Sequence, residues 1–354
     1  MKTSLLNRLK IDRKYAPLLA TILLFVVAYV FGMIQYPGMR NAQAFANLFI
    51  DKAYLLIAAV GVTAVILTGG IDLSSGAVIA LVSTTSAYLM EKQGFYPEWV
   101  IPWMLMLGAG LGLFMGCLIH FFKVQPFIAT LAGMFFARGM CFFITIDAIP
   151  ISDPFYRAWS LARINVPFLS KTFISVNVLI ALIVLIGAMF LLHRTRFGRT
   201  IYAMGGNEQS ARLMGLRVGQ TKILVYGLSG FCNALAGITY SVALLSGHGL
   251  YANGLELDVI SSVVIGGTLL TGGVGYVFGT LFGVLINGLI QSLITFNGQL
   301  SSWWTRIVIG LLTLVFIGVQ SAFTLSKRRQ ISVRRQRAAA QTQPPAAPAP
   351  QIGA

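Results

Sequence analysis

Four charged side chains stand inside or beside apolar stretches of this sequence. They are Asp72 in LTGGIDLSSG, Arg138 in LAGMFFARGMCFF, and Glu256 and Asp258 in GLELDVISSVVIGG. Moving a charge away from water is costly, so each needs a partner or marks a polar path. Asp72 could face such a path. With Ser74 or Ser75 it could equally cap a helix that begins near Gly76. Arg138 must find a carboxylate, backbone carbonyls or water, in a structural role or a pathway role. Glu256 and Asp258 precede an apolar segment, where the partial positive charge of a helix start favours carboxylates. That capping role stands beside a role in a pathway.

Other chemistry finds no residues to carry it. The sequence has no GxxxxGK[ST], so it cannot cradle nucleotide phosphates by that route. It has no paired histidine and carboxylate and no nucleophile elbow, so no catalytic residue is expected. Cys117, Cys141 and Cys232 lie in apolar segments without CxxC spacing and read as small buried residues. The three histidines are far apart and form no metal pattern, so no metal ligand is expected.

The elements that hold these charges are membrane spans. Of 354 residues, 56% are hydrophobic and 10% charged, against roughly 25% charged in a soluble domain. Tyr15–Met33, Val100–Phe122, Ile174–Leu192 and Trp303–Thr324 each exceed the roughly 18 apolar residues a crossing requires. Tyr54–Leu67, Gly76–Met90, Phe127–Thr145, Ile223–Leu245, Val259–Leu270 and Tyr276–Thr295 complete the set. The expected fold is an all-α integral membrane protein, a polytopic bundle of about ten transmembrane helices, some short or Gly-interrupted. Tyr54–Leu67 and Val259–Leu270 are too short to cross; 14 residues reach only about 21 Å. Both end in the same tetrapeptide, Leu67-Thr68-Gly69-Gly70 and Leu270-Thr271-Gly272-Gly273. Paired Gly-interrupted segments in two halves point to a transport site, unless the repeat is coincidence in a Gly-rich chain.

The net charge of +16 raises nucleic acid as a partner, but its distribution argues against that. Seventeen of the 26 Lys and Arg fall in three blocks, Met1–Lys14, His193–Lys222 and Ser326–Arg337. Basic blocks beside apolar spans mark the cytoplasmic side. Both termini are then cytoplasmic, the number of spans is even, and the first helix is retained rather than cleaved. The organisation is a basic N-terminus over residues 1–14 and a transmembrane domain over 15–325 with a cytoplasmic loop at 193–222. A basic, then Ala/Pro-rich disordered tail covers 326–354. Ile146–Phe173 lies outside and, with Pro150, Pro154 and Pro167, reads as a loop with a short surface helix.

In the cytoplasmic loop, Asn207 can cap a short helix from Glu208 to Met214, and Gly215 can end it. Ala211, Leu213, Met214 and Leu216 give it an apolar surface. Such a helix docks either on the bilayer or in a groove of a partner. Gly205-Gly206 and Gly215 suit sharp turns at both ends.

Four stretches are specific. AVGVTAVILTGGIDLSSGAV, PFIATLAGMFFARGM, RTRFGRTIYAMGGNEQSARLMGL and ELDVISSVVIGGTLLTGGVG resemble, in this order, the permease subunits of bacterial ribose-type sugar ABC importers. The resemblance runs from about Tyr15 to Thr324. LAGMFFARG, GGTLLTGGVG and LSSWWTRI resemble one of the two permeases of the galactofuranose-type importer. Ser75 stands where family members more often have Val, and the Ala/Pro tail lies outside the family pattern.

The resemblance implies a multi-pass protein of the bacterial inner membrane, surrounded by lipid. It implies a partner ABC ATPase that carries ATP and Mg, with no cofactor in this chain. It also implies a second permease subunit, identical or different, and a periplasmic sugar-binding protein. Asn207, Glu208, Ala211, Leu213, Met214, Gly215 and Leu216 would form the coupling helix seated in the ATPase. Thr68, Asp72, Ser74, Ser75, Arg138, Glu256 and Asp258 are expected near the translocation route. The alternative class is an ion-coupled secondary transporter of a small polar solute. That class usually needs intramembrane acidic relays, and only Asp72 qualifies clearly.

Overall fold

The computed structural model describes residues 16–167, 172–301 and 303–319. The basic N-terminus at 1–14 and the tail at 326–354 lie outside the described residues. The chain divides into two compact units, Met1–Thr313 and Leu314–Ala354. The first helices are α1 (Ala16–Gln35), α2 (Ala42–Leu67), α3 (Ser75–Glu91), α4 (Pro97–Phe121) and α5 (Pro126–Ile144). A connecting region follows, with β1 (Ile149–Pro150), α6 (Pro154–Leu161), β2 (Arg163–Asn165) and β3 (Phe173–Ser175). Next come α7 (Val176–Arg194), two short helices α8 (Arg196–Gly206) and α9 (Glu208–Leu213), and α10 (Val218–Leu244). The last elements are β4 (Ser246–Gly247), α11 (Leu255–Ile265), α12 (Val277–Asn297) and α13 (Trp303–Val319).

Local chemistry sets the helix starts. Proline, whose missing N–H costs nothing in a first turn, opens α4, α5 and α6. Asn41 accepts from the Gln43 amide ahead of α2, and Asp153 accepts from Phe155 and Tyr156 ahead of α6. The α6 region is the short surface helix expected in the Ile146–Phe173 loop. Two antiparallel ladders, β1 with β4 and β2 with β3, tie the connecting segments.

Seven described helices are long and apolar enough to cross a membrane; α3, α11 and α13 are shorter. From Leu55 to Leu67, α2 is buried on every face, as a helix surrounded by others must be. By contrast α1 exposes Leu23, Val27, Phe31 and Ile34, and α7 exposes Ile183, Ile186 and Phe190. Apolar surface on that scale belongs against lipid.

Two expected boundaries are corrected. The helix ending at Leu67 is not short: it begins at Ala42 and has 26 residues. Asp51 and Lys52 hide this in the sequence, because two adjacent charges look like the end of a span. Lys52 is in fact buried and donates to Gln291 Oε1 of α12 at 2.6 Å, its stem lying over Gly288. The second short helix is indeed short but ends at Ile265, not Leu270.

Between α4 and α10 the backbones nearly touch. Gly108, Gly112 and Gly116 form a stripe at four-residue spacing on α4, facing Ile223, Tyr226, Gly230 and Ala234. A Cβ at Gly112 would press into the Tyr226 carbonyl, whereas one at Gly110 meets nothing among the described residues. Without a hydrophobic drive between helices in lipid, such close van der Waals contact is what holds them. Gly112→Leu is expected to cost about 1–3 kcal/mol through overpacking. It should lower the thermal unfolding midpoint of the detergent-purified protein, while Gly110→Leu leaves it unchanged. Equal midpoints for the two variants would contradict the interface.

Candidate functional site

The site begins where α2 stops. Thr68 caps the helix and its hydroxyl donates to the Val65 carbonyl at 2.7 Å. Gly69 turns left-handed (φ 80°), so its N–H reaches Ile66 and that of Gly70 reaches Val65. These are the paired bonds with which a glycine closes a helix. The Leu67 carbonyl stays free of them and accepts from the Gly273 amide at 2.9 Å.

The end of α11 has the same construction on different letters. Gly267 is left-handed (φ 90°), its N–H reaches Val264, and the Thr268 N–H reaches Val263. The structural counterpart of Leu67-Thr68-Gly69-Gly70 is therefore Ile265-Gly266-Gly267-Thr268. The second LTGG does not end a helix; it forms a turn that docks on the first. The Ile265 carbonyl accepts from the buried Thr21 hydroxyl of α1 at 2.6 Å.

Beyond the first break, Asp72 is 1% exposed. Its Oδ1 accepts from the Ser74 amide at 2.9 Å and the Ser74 hydroxyl at 2.6 Å. Its Oδ2 accepts from Ser229 at 2.6 Å and Asn233 at 3.4 Å, both on α10. Asp72 thus organises the start of α3, whose N-cap is Ser74, and fastens it to α10. Ser75 opens α3 with a buried hydroxyl that has no hydrogen-bond partner among the described residues. Ser229 and Asn233 were not singled out in the sequence. Their signal is polar residues four apart on an apolar helix, which puts both on one face.

Arg138 on α5 finds carbonyls rather than a carboxylate. Its Nη1 donates to Gly249 at 2.6 Å and Tyr251 at 2.7 Å, fixing the segment that leads into α11. Glu256 and Asp258 lie in the first turn of α11, but no side chain caps that helix. Glu256 reaches over Gly76 to the first turn of α3, an approach any Cβ at Gly76 would block. Its carboxylate there suits the partial positive charge of that helix start.

The second part of the site is the helical elbow α8–α9. Asn207 Oδ1 accepts from the Ser210 amide at 2.8 Å and caps α9, and Gly215 is left-handed (φ 76°) just past its end. Ala211 packs inward with Met204 and Val218, and Leu216 joins them half-buried. Lys222 of α10 holds Glu208 at 2.8 Å, with Arg212 at 3.2 Å. Partial burial pushes the Glu208 carboxyl up, but the contacts with Lys222 and Arg212 outweigh it and hold it below the ordinary glutamate value. Leu213 and Met214 turn outward, 84% and 68% exposed. Of the four apolar residues read as one surface, two therefore anchor the helix and two are presented.

Gly205 and Gly206 are not turns. They end α8, and Gly205 sits directly over the bond between Leu67 and Gly273, where any side chain would collide. Tyr202 adds a second tie, donating to the Gly275 carbonyl at 2.8 Å. Burial and the neighbouring Tyr276 push its hydroxyl up to about 12, so it stays a donor. The α8 helix was not anticipated, because its glycines and arginines read as loop.

A bundle of apolar helices with two broken segments, and an exposed elbow seated on the junction of those breaks, defines a multi-pass membrane permease. The chain belongs to the family described as branched-chain amino acid transport system / permease component, which matches residues 44–317. It is 46% identical over 321 residues to the inner membrane ABC transporter permease protein YjfF of Escherichia coli K12, covering 90% of this chain and 96% of that one. It is 41% identical over 317 residues to the fructose import permease protein FruG of Bifidobacterium longum, covering 88% and 93%. It is 37% identical over 298 residues to the ribose import permease protein RbsC of Haemophilus influenzae, covering 84% and 90%. No solved structure matches. The expectation of an ABC sugar-importer permease is borne out, and such a component is not itself an enzyme.

Asp72→Ala is expected to leave the Ser74, Ser229 and Asn233 donors buried without an acceptor, at about 1–3 kcal/mol. The thermal unfolding midpoint of the purified protein should fall, and Asp72→Asn should lose less. An unchanged midpoint for Asp72→Ala would mean that the carboxylate holds nothing together.

Proposed function

We propose that this chain is one of two permease subunits that together form the path for a monosaccharide. The sugar is delivered by a periplasmic binding protein, and transport is driven by ATP and magnesium on separate ATPase subunits. The importer works in the inner membrane. The sugar is of the galactofuranose type; the ribose and fructose in the relatives' names support a substrate of this size and chemistry. The observation that carries the reading is the elbow: α9 is braced from behind and presents Leu213 and Met214, while the end of α8 rests on the junction of the two breaks.

Ten membrane segments with both termini inside fit this reading. Seven long helices and the shorter α3, α11 and α13 fall where the ten sequence segments lie. The roles within the site then divide. Thr68, Asp72, Ser74 and Ser75 shape the first break beside the route, and Arg138 steadies the approach to the second. Glu256 and Asp258 stand along the route itself.

Two experiments test the proposal. Leu213→Asp should leave the permease in the membrane and abolish association with the ATPase, because a carboxylate desolvated in a groove costs more than the contact returns. Co-purification of the ATPase with this variant, together with wild-type sugar uptake, would make the elbow a mere connector. For sidedness, single cysteines replace the exposed Gln209 and Ala158. Gln209→Cys should resist an impermeant thiol reagent added outside and Ala158→Cys should react; the reverse pattern would invert the topology.

A further inference from the structure

One polar feature away from the first break and the elbow encloses a cavity. Between α2, α11, α12 and α13 lies a cavity of about 310 Å³ lined by Lys52, Asp258, Asn287, Gln291, Thr295 and Arg306. Its size falls at the small end of the roughly 300–1,000 Å³ range of ligand pockets. A purely structural charge cluster would close on itself, and this one does not. Lys52 spends one of its three N–H groups on Gln291, and among the described residues it forms no ion pair with Asp258. Asn287 is 1% exposed, and among the described residues its Nδ2 has no hydrogen-bond partner. A buried amide donor left in that state is expensive unless something in the cavity accepts from it.

We infer that this cavity is a binding site for a neutral polyhydroxyl ligand, the hydroxyls of the transported sugar. The inference rests on the reading of the chain as a sugar-importer permease. A hydroxyl both donates and accepts, so one ring can accept from Lys52, Arg306 and Asn287 while donating to Asp258 and the Gln291 carbonyl. The charges select against an ionic ligand. Lys52 and Arg306 face Asp258, with Glu256 within electrostatic reach of it, so a ligand charge of either sign meets a like charge. An apolar ligand would leave the Asn287 amide without an acceptor. Placement supports a route: Lys52 lies on α2, which is buried on every face from Leu55 to Leu67, and Asp258 in the first turn of the helix whose far end forms the second break.

The test uses the whole transporter in cells, with permease, ATPase and binding protein together. The probes are radiolabelled D-galactose, D-fructose and D-ribose, with labelled galacturonate as the charged comparison. Asp258→Asn and Asn287→Leu should lower sugar uptake about ten- to a hundredfold, the size of a lost buried hydrogen bond to a charged or orphaned group. The ATPase should still co-purify with both. Gln291→Glu should change the ratio of uptake among the three sugars, which a merely structural role would scale alike. Glu98→Gln, in the first turn of α4, should change nothing. Unchanged uptake in the cavity variants overturns the inference. So does an equal loss for all three sugars with a lowered unfolding midpoint, or uptake of galacturonate as fast as the sugars. If the wild-type transporter moves none of the three sugars, the sugar reading itself fails and takes this inference with it.

Discussion

A helix that stops inside a packed protein leaves carbonyls that water cannot reach, and lipid offers them no donor. This constraint organises the centre of the molecule. At the end of α2 the glycine turn satisfies Val65 and Ile66 but not Leu67, and at the end of α11 it satisfies Val263 and Val264 but not Ile265. Each remaining carbonyl takes its donor from a distant element, Gly273 for one and Thr21 for the other. The breaks are therefore tertiary joints. Because the donor for Leu67 comes from the loop after α11, the two halves of the chain cannot be arranged independently.

The charges within the helix bundle follow the same rule. Asp72 is bonded at both oxygens and joins α3 to α10; Arg138 is spent on two carbonyls and joins α5 to the approach to α11. An acid that carries protons across a membrane must exchange its partners, and Asp72 has two serine hydroxyls and an amide fixed on it. That occupancy argues against the ion-coupled alternative on physical grounds, in agreement with the family. The Asn287 amide beside Lys52 and Asp258 is, by contrast, one of the buried groups that no described residue satisfies.

Much of this was legible in the sequence because membranes impose simple rules. Long apolar segments became helices within a few residues of their expected ends, and the Asn207 cap and the Gly215 stop stand where the residue types put them. Other features were hidden for specific reasons. Asp51-Lys52 looked like the end of a span because a sequence does not show that Gln291 waits across the bundle for the ammonium. The repeated LTGG drew attention to the right two regions but paired the wrong letters, since a glycine closes a helix equally well after Ile265-Gly266 as after Leu67-Thr68. The Gly108, Gly112, Gly116 stripe was readable by its spacing, yet its partner α10 was not.

The seating of the elbow decides what a push on it can do. A glycine at a contact has no side chain to rotate aside, so displacement of Gly205 must pass to the Leu67 carbonyl and the Gly273 amide it covers. Tyr202 carries the same displacement to Gly275. On the other side, Glu208 is tied to Lys222, and α10 continues from there to Ser229 and Asn233, which hold Asp72. One rigid elbow thus reaches the end of α2, the loop after α11 and the start of α3. Intact helices resist bending because every turn is bonded to the next, while at a break few bonds oppose a rotation. A displacement of α9 therefore concentrates at the two breaks, where fewest bonds oppose a rotation of the helices.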